Sequence, residues 1–286
     1  MRVLAVHDGR AGVAAQVLGL AQAMARGRDV EVVEATSMPS DVPDIAIGCG
    51  SKSRSILRAL RKKGAFTVYV QDPRRRYSVY DVVVAPTHDG VERPNSIAMI
   101  GSPTRWTPGV LSEIAKGGDG FAAEKRAAFL IGGTSSRYEM DEACMEAHLG
   151  AAETLLEAGY GLMVTVSRRT PRDAAKSWRK LGAREDVWFY EGEGENPYGR
   201  FLATADVILV TEDSTNMLSE ACGAGVPVYR LPMSGEPGKF ARLYDDLEAR
   251  CGVVRWPGEL LELEAQKPLD ETSRVAAEVW ARFDAV

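Results

Sequence analysis

The sequence predicts an α/β protein built as two Rossmann-like β/α domains facing across a cleft, closed by a C-terminal helix. Three observations carry this prediction. Short, almost wholly apolar runs recur along the chain, as parallel strands covered on both faces require. Helical patterns alternate with them, which is the signature of βαβ units. The alternation pauses in a Gly- and Pro-rich stretch, "GSPTRWTPGVLSEIAKGGDGFAAEK", and then starts again. A chain of 286 residues suits two domains of about 100–150 residues each. The expected division is 1–120 and 121–286, with the terminal helix in the second domain.

The elements follow in order. "RVLAV" (Arg2–Val6), "DVEVVE" (Asp29–Glu34), "DIAIG" (Asp44–Gly48), "FTVYV" (Phe66–Val70), "DVVVAP" (Asp81–Pro86) and "SIAMIG" (Ser96–Gly101) read as strands. "VAAQVLGLAQAMARG" and "SRSILRALRKKG" repeat apolar residues at helical spacing. The second carries basic residues in its last turn and stops at Gly64. In the second half "RAAFLIGG", "GLMVTVS", "VWFYEG", "DVILV" and "VPVYRL" read as strands. Helices are expected over about 139–158, 174–181, 198–203, 214–223 and 270–283.

Composition narrows the functional classes. Hydrophobic content of 45% and charged content of 26% are those of an ordinary globular domain. A net charge of −5 argues against a nucleic-acid partner held mainly by electrostatics. Cys49, Cys144, Cys222 and Cys251 are widely spaced, so four buried thiols are expected rather than a zinc site or disulfide framework. The opening apolar run is interrupted by His7 and Asp8, unlike a signal peptide. No stretch reaches the ~18–20 apolar residues of a membrane span. The expectation is a cytoplasmic protein with scope for peripheral contact at the inner face of a membrane.

Chemistry-bearing residues sit at strand ends. "TEDSTNMLSEACGAGVPVYRLP" (Thr211–Pro232) follows an apolar strand with a polar run and then places Glu220 among small residues. With Asp213 or Ser214 as N-cap, the first-turn N–H groups and the helix dipole suit a diphosphate. Glu220, about two turns below, suits the two hydroxyls of a ribose. The plainer explanation makes Asp213 a cap and Glu220 a solvated helix residue. "FLIGGTSSRYEMD" offers a second cradle in Gly132, Gly133, Thr134, Ser135 and Ser136. "VTVSRRTP" offers a third in Ser167, Arg168, Arg169 and Thr170, since arginine grips phosphate through forked donors. Each of these is also explicable as an ordinary loop. Neither GxGxxG nor a P-loop is present, and no DxD-like metal motif is apparent, so no metal and no tightly bound cofactor are expected.

The first half has polar strand ends of its own. His7, Asp8, Gly9 and Arg10 follow the first strand; Gly50, Ser51 and Lys52 the third; Gln71 and Asp72 the fourth; His88 and Asp89 the fifth. Asp8, His88 and Asp89 are the candidate catalytic groups, because a base is needed to take a proton from an acceptor hydroxyl. Gly9, Arg10, Gly50, Ser51, Gln71 and Asp72 stand at the polar strand ends of the same half. His88 is equally well a loop histidine bonded to Asp89, and His7 a satisfied buried histidine. Arg74–Arg76 with Arg54, Arg58, Arg61, Lys62 and Lys63 make a basic region on an acidic protein. It is either a solvated face or one turned to an anionic acceptor or lipid head groups.

Seven motifs in order, "DGRAG" with Gln16, "QDPR", "VVVAPTHD", "IGGTSSRY", "TVSRRTP", "TEDSTNMLSEACGAGVPVY" and "GKFARLYDDLEARCG", resemble the elongated-mitochondria (mitochondrial fission) family. The resemblance covers nearly the whole chain. It implies the GT-B glycosyltransferase-like fold, shared with the enzyme that makes the lipid-linked disaccharide of peptidoglycan. It also implies a nucleoside-diphosphate sugar, most readily a UDP-sugar, as substrate, held by the Ser135, Arg168, Ser214 and Glu220 regions. The acceptor, lipid-linked or in the cell envelope, is unspecified. Family members have alternatively been described as nucleoside-diphosphate-sugar epimerases, and the plant member as a recruiter of a dynamin-like protein to mitochondria. One departure stands out. The family's first motif runs DGRxGH, and Val13 occupies the histidine's place here.

Overall fold

The computed structural model describes residues 1–118 and 120–286. Along the chain run β1 (Arg2–Val6), α1 (Ala11–Ala25), β2 (Glu31–Ala35), β3 (Ile45–Cys49), α2 (Ser53–Lys62), β4 (Phe66–Val70), β5 (Val82–Pro86) and β6 (Ser96–Met99). Then come α3 (Pro108–Ala115), β7 (Lys125–Ile131), β8 (Tyr138–Glu139), α4 (Glu142–Glu157), β9 (Tyr160–Val166), α5 (Arg172–Leu181) and β10 (Val187–Phe189). The remainder is α6 (Tyr198–Thr204), β11 (Val207–Thr211), α7 (Thr215–Cys222), β12 (Val228–Leu231), β13 (Ser234–Gly235), α8 (Phe240–Cys251), β14 (Val254–Arg255) and α9 (Glu271–Phe283).

Two compact units result. One comprises Met1–Thr107 together with Asp270–Val286; the other is Pro108–Leu269. The N-terminal unit holds a parallel sheet in the order β2-β1-β3-β4-β5-β6. Every residue of β3, β4 and β5 is buried, as expected of inner strands covered on both faces. The second unit holds a parallel sheet in the order β10-β9-β7-β11-β12-β14. Each order reverses direction once, between β1 and β3 and between β7 and β11. In open α/β sheets such a reversal parts the two flanking loops and leaves a crevice beyond the strand ends. The strand pattern expected from sequence is therefore present, with ends shifted by a few residues.

Three features differ from the sequence expectation. The Gly- and Pro-rich stretch is not simply a linker, because α3 begins at Pro108, a favoured first position for a helix. Helix α8, which buries Leu243, Tyr244, Leu247 and Cys251, falls where the sequence pattern predicts no element. The third concerns α9, expected with the second domain. It packs on α1 in the N-terminal unit, where Val275, Ala276, Val279 and Trp280 join the cluster of Val17, Leu20 and Met24. Trp280 Nε1 donates to the Met24 carbonyl at 2.9 Å, and Phe283 sets its ring edge-on to Phe66. Each large apolar side chain so buried stabilises by about 1.5–3 kcal/mol. The covering of α1 thus decides where the last helix goes. Asp270 caps α9 by accepting from Ser273 N at 3.1 Å.

Candidate functional site

The strand order of the second unit sets β9, β7 and β11 side by side, so their three polar loops meet. Thr211 Oγ1 accepts from Gly132 N at 2.7 Å and donates to Asp213 Oδ1 at 2.7 Å. Gly133 N donates to Asp213 Oδ2 at 3.1 Å. Arg169 Nη2 pairs with that same oxygen at 2.6 Å. The Thr170 hydroxyl donates to the Gly132 carbonyl, and Ser167 N donates to the Ile131 carbonyl at 2.8 Å. A Cβ on Gly132 would strike the Asp213 carboxylate, and one on Gly133 would strike the Arg169 carbonyl. The two glycines are thus needed for the close approach of neighbouring loops rather than for a tight turn.

This geometry corrects several residue assignments. Asp213 is not the cap of α7. Ser214 is, with Oγ accepting from Met217 N at 3.4 Å. The Asp213 side chain is instead fully buried, and burial pushes its carboxyl up despite the Thr211 hydroxyl and the Arg169 charge, which pull it down. A buried carboxylate needs such partners, since an unpaired one would be costly. It follows that Gly133 N and one Arg169 nitrogen are already engaged. Met217, whose N–H bonds the Ser214 cap, is half-buried. Ser135 braces its own turn by accepting from Arg137 N and Tyr138 N at 3.3 and 3.2 Å. Ser167 Oγ accepts from Arg169 N at 3.1 Å. Thr134, Ser136 and Arg168 are exposed beside this knot.

Glu220 is not the solvated helix residue of the plainer explanation. It is 8% exposed and accepts from Tyr198 Oη at 2.5 Å. Tyr198 is half-buried, and burial, with the Glu220 charge beside it, lifts its phenol well above the ordinary range. Sequence reasoning did not single out Tyr198, because it lies 22 residues from its partner and in no polar strand-end motif. It also missed Glu212, which is 4% exposed. Glu212 ties Arg230 and Arg255 at 2.7 and 3.0 Å and so pins β12 and β14 to the end of β11.

In the N-terminal unit the reversal between β1 and β3 holds a second cluster. Asp8 accepts from Arg10 Nε at 2.9 Å and Nη2 at 2.7 Å. A Cβ on Gly50 would come within 3.2 Å of Asp8 Oδ2 and 3.4 Å of Arg10 Nη2. Gly50 also has φ +83, which glycine adopts without strain. The bond from Arg10 holds the Asp8 carboxyl below its usual range, so Asp8 is a weaker base than expected from sequence. His7 accepts from Gly9 N at 3.0 Å and lies 2.6 Å from Glu34, a satisfied buried histidine. Gln71 donates to Gln16 Oε1 at 3.1 Å. Asp72 Oδ1 accepts from Arg74 N and Tyr77 Oη, both at 2.6 Å. Ser51 is exposed. His88 and Asp89 form a single 3-10 turn after β5, with His88 Nε2 3.9 Å from Asp89 Oδ1. That distance is ion-pair range rather than a hydrogen bond. The candidate bases do not form one cluster. Two strands of the sheet, β3 and β4, separate the Asp8 loop from that of His88, which at ~4.8 Å per strand step sets the loops well apart.

All four cysteines are free and buried. Among the described residues no group of three or more His, Cys, Asp or Glu is placed to hold a metal. No helix among them is long and apolar enough to cross a membrane.

Two parallel-sheet units of this strand order define a protein of the GT-B class. Its architecture is shared with the UDP-GlcNAc 2-epimerase of Neisseria meningitidis, solved bound to UDP-GlcNAc. That structure aligns at TM-score 0.61 and 12% identity, over 99% of this chain and 100% of the other. MurG of Acinetobacter baumannii aligns at TM-score 0.53 and 12% identity, over 98% of this chain and 99% of its own. At such identity the likeness is one of fold. The chain belongs to the mitochondrial fission ELM1 family, whose sequence profile matches residues 11–283. It is 27% identical over 274 residues to the mitochondrial fission protein ELM1 of Arabidopsis thaliana, covering 84% of this chain and 64% of that protein. The chain therefore spans a little under two thirds of the plant relative's length.

Proposed function

We propose that the protein binds a nucleoside-diphosphate sugar, most readily a UDP-sugar, in its C-terminal unit and transfers the sugar to an acceptor hydroxyl. One observation carries this reading: three polar strand-end loops converge at the β7/β11 reversal, the place where open α/β sheets take their ligands. Arg168 and the exposed hydroxyls of Thr134 and Ser136 stand beside the knot as donors for a diphosphate. The first-turn N–H groups of α7 add to them. Arg169, spread between Asp213 and the ligand, would offset charge on the departing diphosphate as the glycosidic bond breaks. Glu220 would exchange its bond from Tyr198 for the ribose hydroxyls. His88 or Asp89, or Asp8 once released by Arg10, would take the acceptor's proton. Epimerisation of the same donor would use the same nucleotide residues and no acceptor.

A second reading, binding without chemistry, is favoured by two observations. The carboxylate best placed at the β1/β3 reversal, Asp8, is held by Arg10, and Val13 stands where the family motif has histidine. Differential scanning with UDP and UDP-sugars, followed by donor-consumption assays across acceptors, tests both. A rise in Tm with donor turnover supports transfer. A rise without turnover supports the binding protein. No shift at millimolar UDP defeats both.

A further inference from the structure

We infer that the N-terminal unit carries a separate anion site, an arginine-lined pocket for a phosphomonoester or pyrophosphate group. This inference does not rest on the reading of the C-terminal unit. The pocket has a volume of about 250 Å³ and is walled by Arg54, Arg58, Arg75 and Arg76 with Pro73 and Val79. Ligand pockets for drug-sized molecules occupy about 300–1,000 Å³, so this one suits a charged group rather than a whole nucleotide sugar. Among the described residues no carboxylate lines it. Four guanidinium groups around one cavity repel one another, on a chain whose net charge is −5. Such an arrangement is stabilised by an anion that accepts from several of them at once.

The pocket is built rather than incidental. Arg54 and Arg58 lie one helical turn apart on α2 and are half-buried. Arg54 Nε is fixed by Tyr69 Oη at 3.1 Å, and Arg58 Nε by the Arg54 carbonyl at 3.2 Å; neither bond uses a terminal nitrogen. Opposite them the loop after β4 takes left-handed backbone at three non-glycine residues, Gln71 (φ 81), Arg74 (φ 63) and Arg76 (φ 58). Non-glycine residues adopt such φ values uncommonly, and clusters of them concentrate at ligand clamps. The loop is held in this shape by Asp72, which accepts from Arg74 N and Tyr77 Oη. That bonding also engages the nearby acid, which does not itself line the cavity. Tyr80, stacked on Tyr69 at 4.9 Å, supports the wall from beneath.

The shared ligand chemistry has two sources, a free phosphorylated compound or the head group of a lipid such as phosphatidic acid. The test is a titration of inorganic pyrophosphate into the full chain by calorimetry, beside co-sedimentation with phosphatidylcholine vesicles with and without phosphatidic acid. Both are repeated on an Arg75→Ala/Arg76→Gly double variant. Glycine relieves the left-handed backbone at position 76, so the variant should keep or raise the Tm of the parent. If the C-terminal unit also binds pyrophosphate, that equivalent is common to both proteins, and only the second one is at issue. Loss of one bound equivalent, or at least a tenfold weaker pyrophosphate affinity, supports a free phosphate compound as ligand. Loss of vesicle binding that depends on phosphatidic acid, with no pyrophosphate effect, supports the lipid. Equal behaviour of parent and variant in both assays overturns the site.

Discussion

Arg169 Nη2 stands 2.6 Å from Asp213 Oδ2 and so ties the loop after β9 to the loop after β11 across the intervening end of β7. The carboxylate is fully buried and the guanidinium 45% exposed. The acid therefore pays most of the desolvation, and its shift is upward although its partner is a cation. Gly133 N shares the same oxygen, which makes this pair the brace of the three-loop knot.

Breaking the brace should cost stability in a pH-dependent way. Arg169→Ala leaves the acid buried with fewer partners. Breaking a buried pair costs about 3–5 kcal/mol, but exposure of Arg169 to solvent reduces this to about 1–2 kcal/mol. Because the folded Asp213 carboxyl is raised above 3.8, the folded state holds its proton more tightly than the unfolded chain. This group's contribution is greatest below 3.8 and declines as pH rises through the raised value. Urea melts from pH 3.5 to 7 should show that decline as the difference between the parent and Asp213→Asn, because Asp8, Asp141 and Asp186, held below their usual range, contribute with the opposite sign in both proteins. An unchanged slope in the variant would rule out Asp213 as the source.

The two neighbouring arginines should separate by function. Arg168 is exposed, so Arg168→Ala should leave the Tm within about 1 °C, since surface substitutions cost little. Under the proposed reading it should weaken UDP binding about tenfold or more, as loss of a charge-assisted hydrogen bond does. Arg169→Ala should lower both Tm and affinity. Calorimetric titration with UDP decides between these outcomes, and equal affinity of parent and Arg168→Ala counts against a diphosphate at this loop.

Ribose recognition by Glu220 makes a separate prediction. Glu220→Gln should reduce the affinity for UDP while leaving that for 2′,3′-dideoxy-UDP nearly unchanged. Tyr198→Phe removes the bond that Glu220 accepts. Losing a hydrogen bond to a charged group should destabilise by about 1.5–3 kcal/mol. If both nucleotides weaken equally in Glu220→Gln, the residue acts on the fold and not on the sugar.

Helix α9 should be a structural part of the N-terminal unit. Trp280→Ala removes a side chain 6% exposed and should cost about 3–5 kcal/mol. Hydrogen exchange read by mass spectrometry should then rise in α1 and β1. Protection in β7, β9 and β11 should hold, because the two units are compact in themselves. Faster exchange in β7 rather than α1 would contradict this assignment.

The sequence by itself determined β1–β7 and β9–β12, the helices other than α3 and α8, and the placing of polar residues at strand ends. These features are local: an apolar run of five residues with a turn behind it declares a buried parallel strand wherever it later pairs. The same local logic pointed to Ser214 and Gly50 as residues of consequence. Only the tertiary structure decided which loops meet, since strand order is a matter of long-range pairing. It also decided that Asp213 turns inward to Gly133 and Arg169, that Tyr198 reaches Glu220 from another helix, and that α9 returns to cover α1. Each is a contact between residues far apart in the chain. Its energy comes from removing apolar surface or a charge from water at that one place, and no short window of sequence carries it.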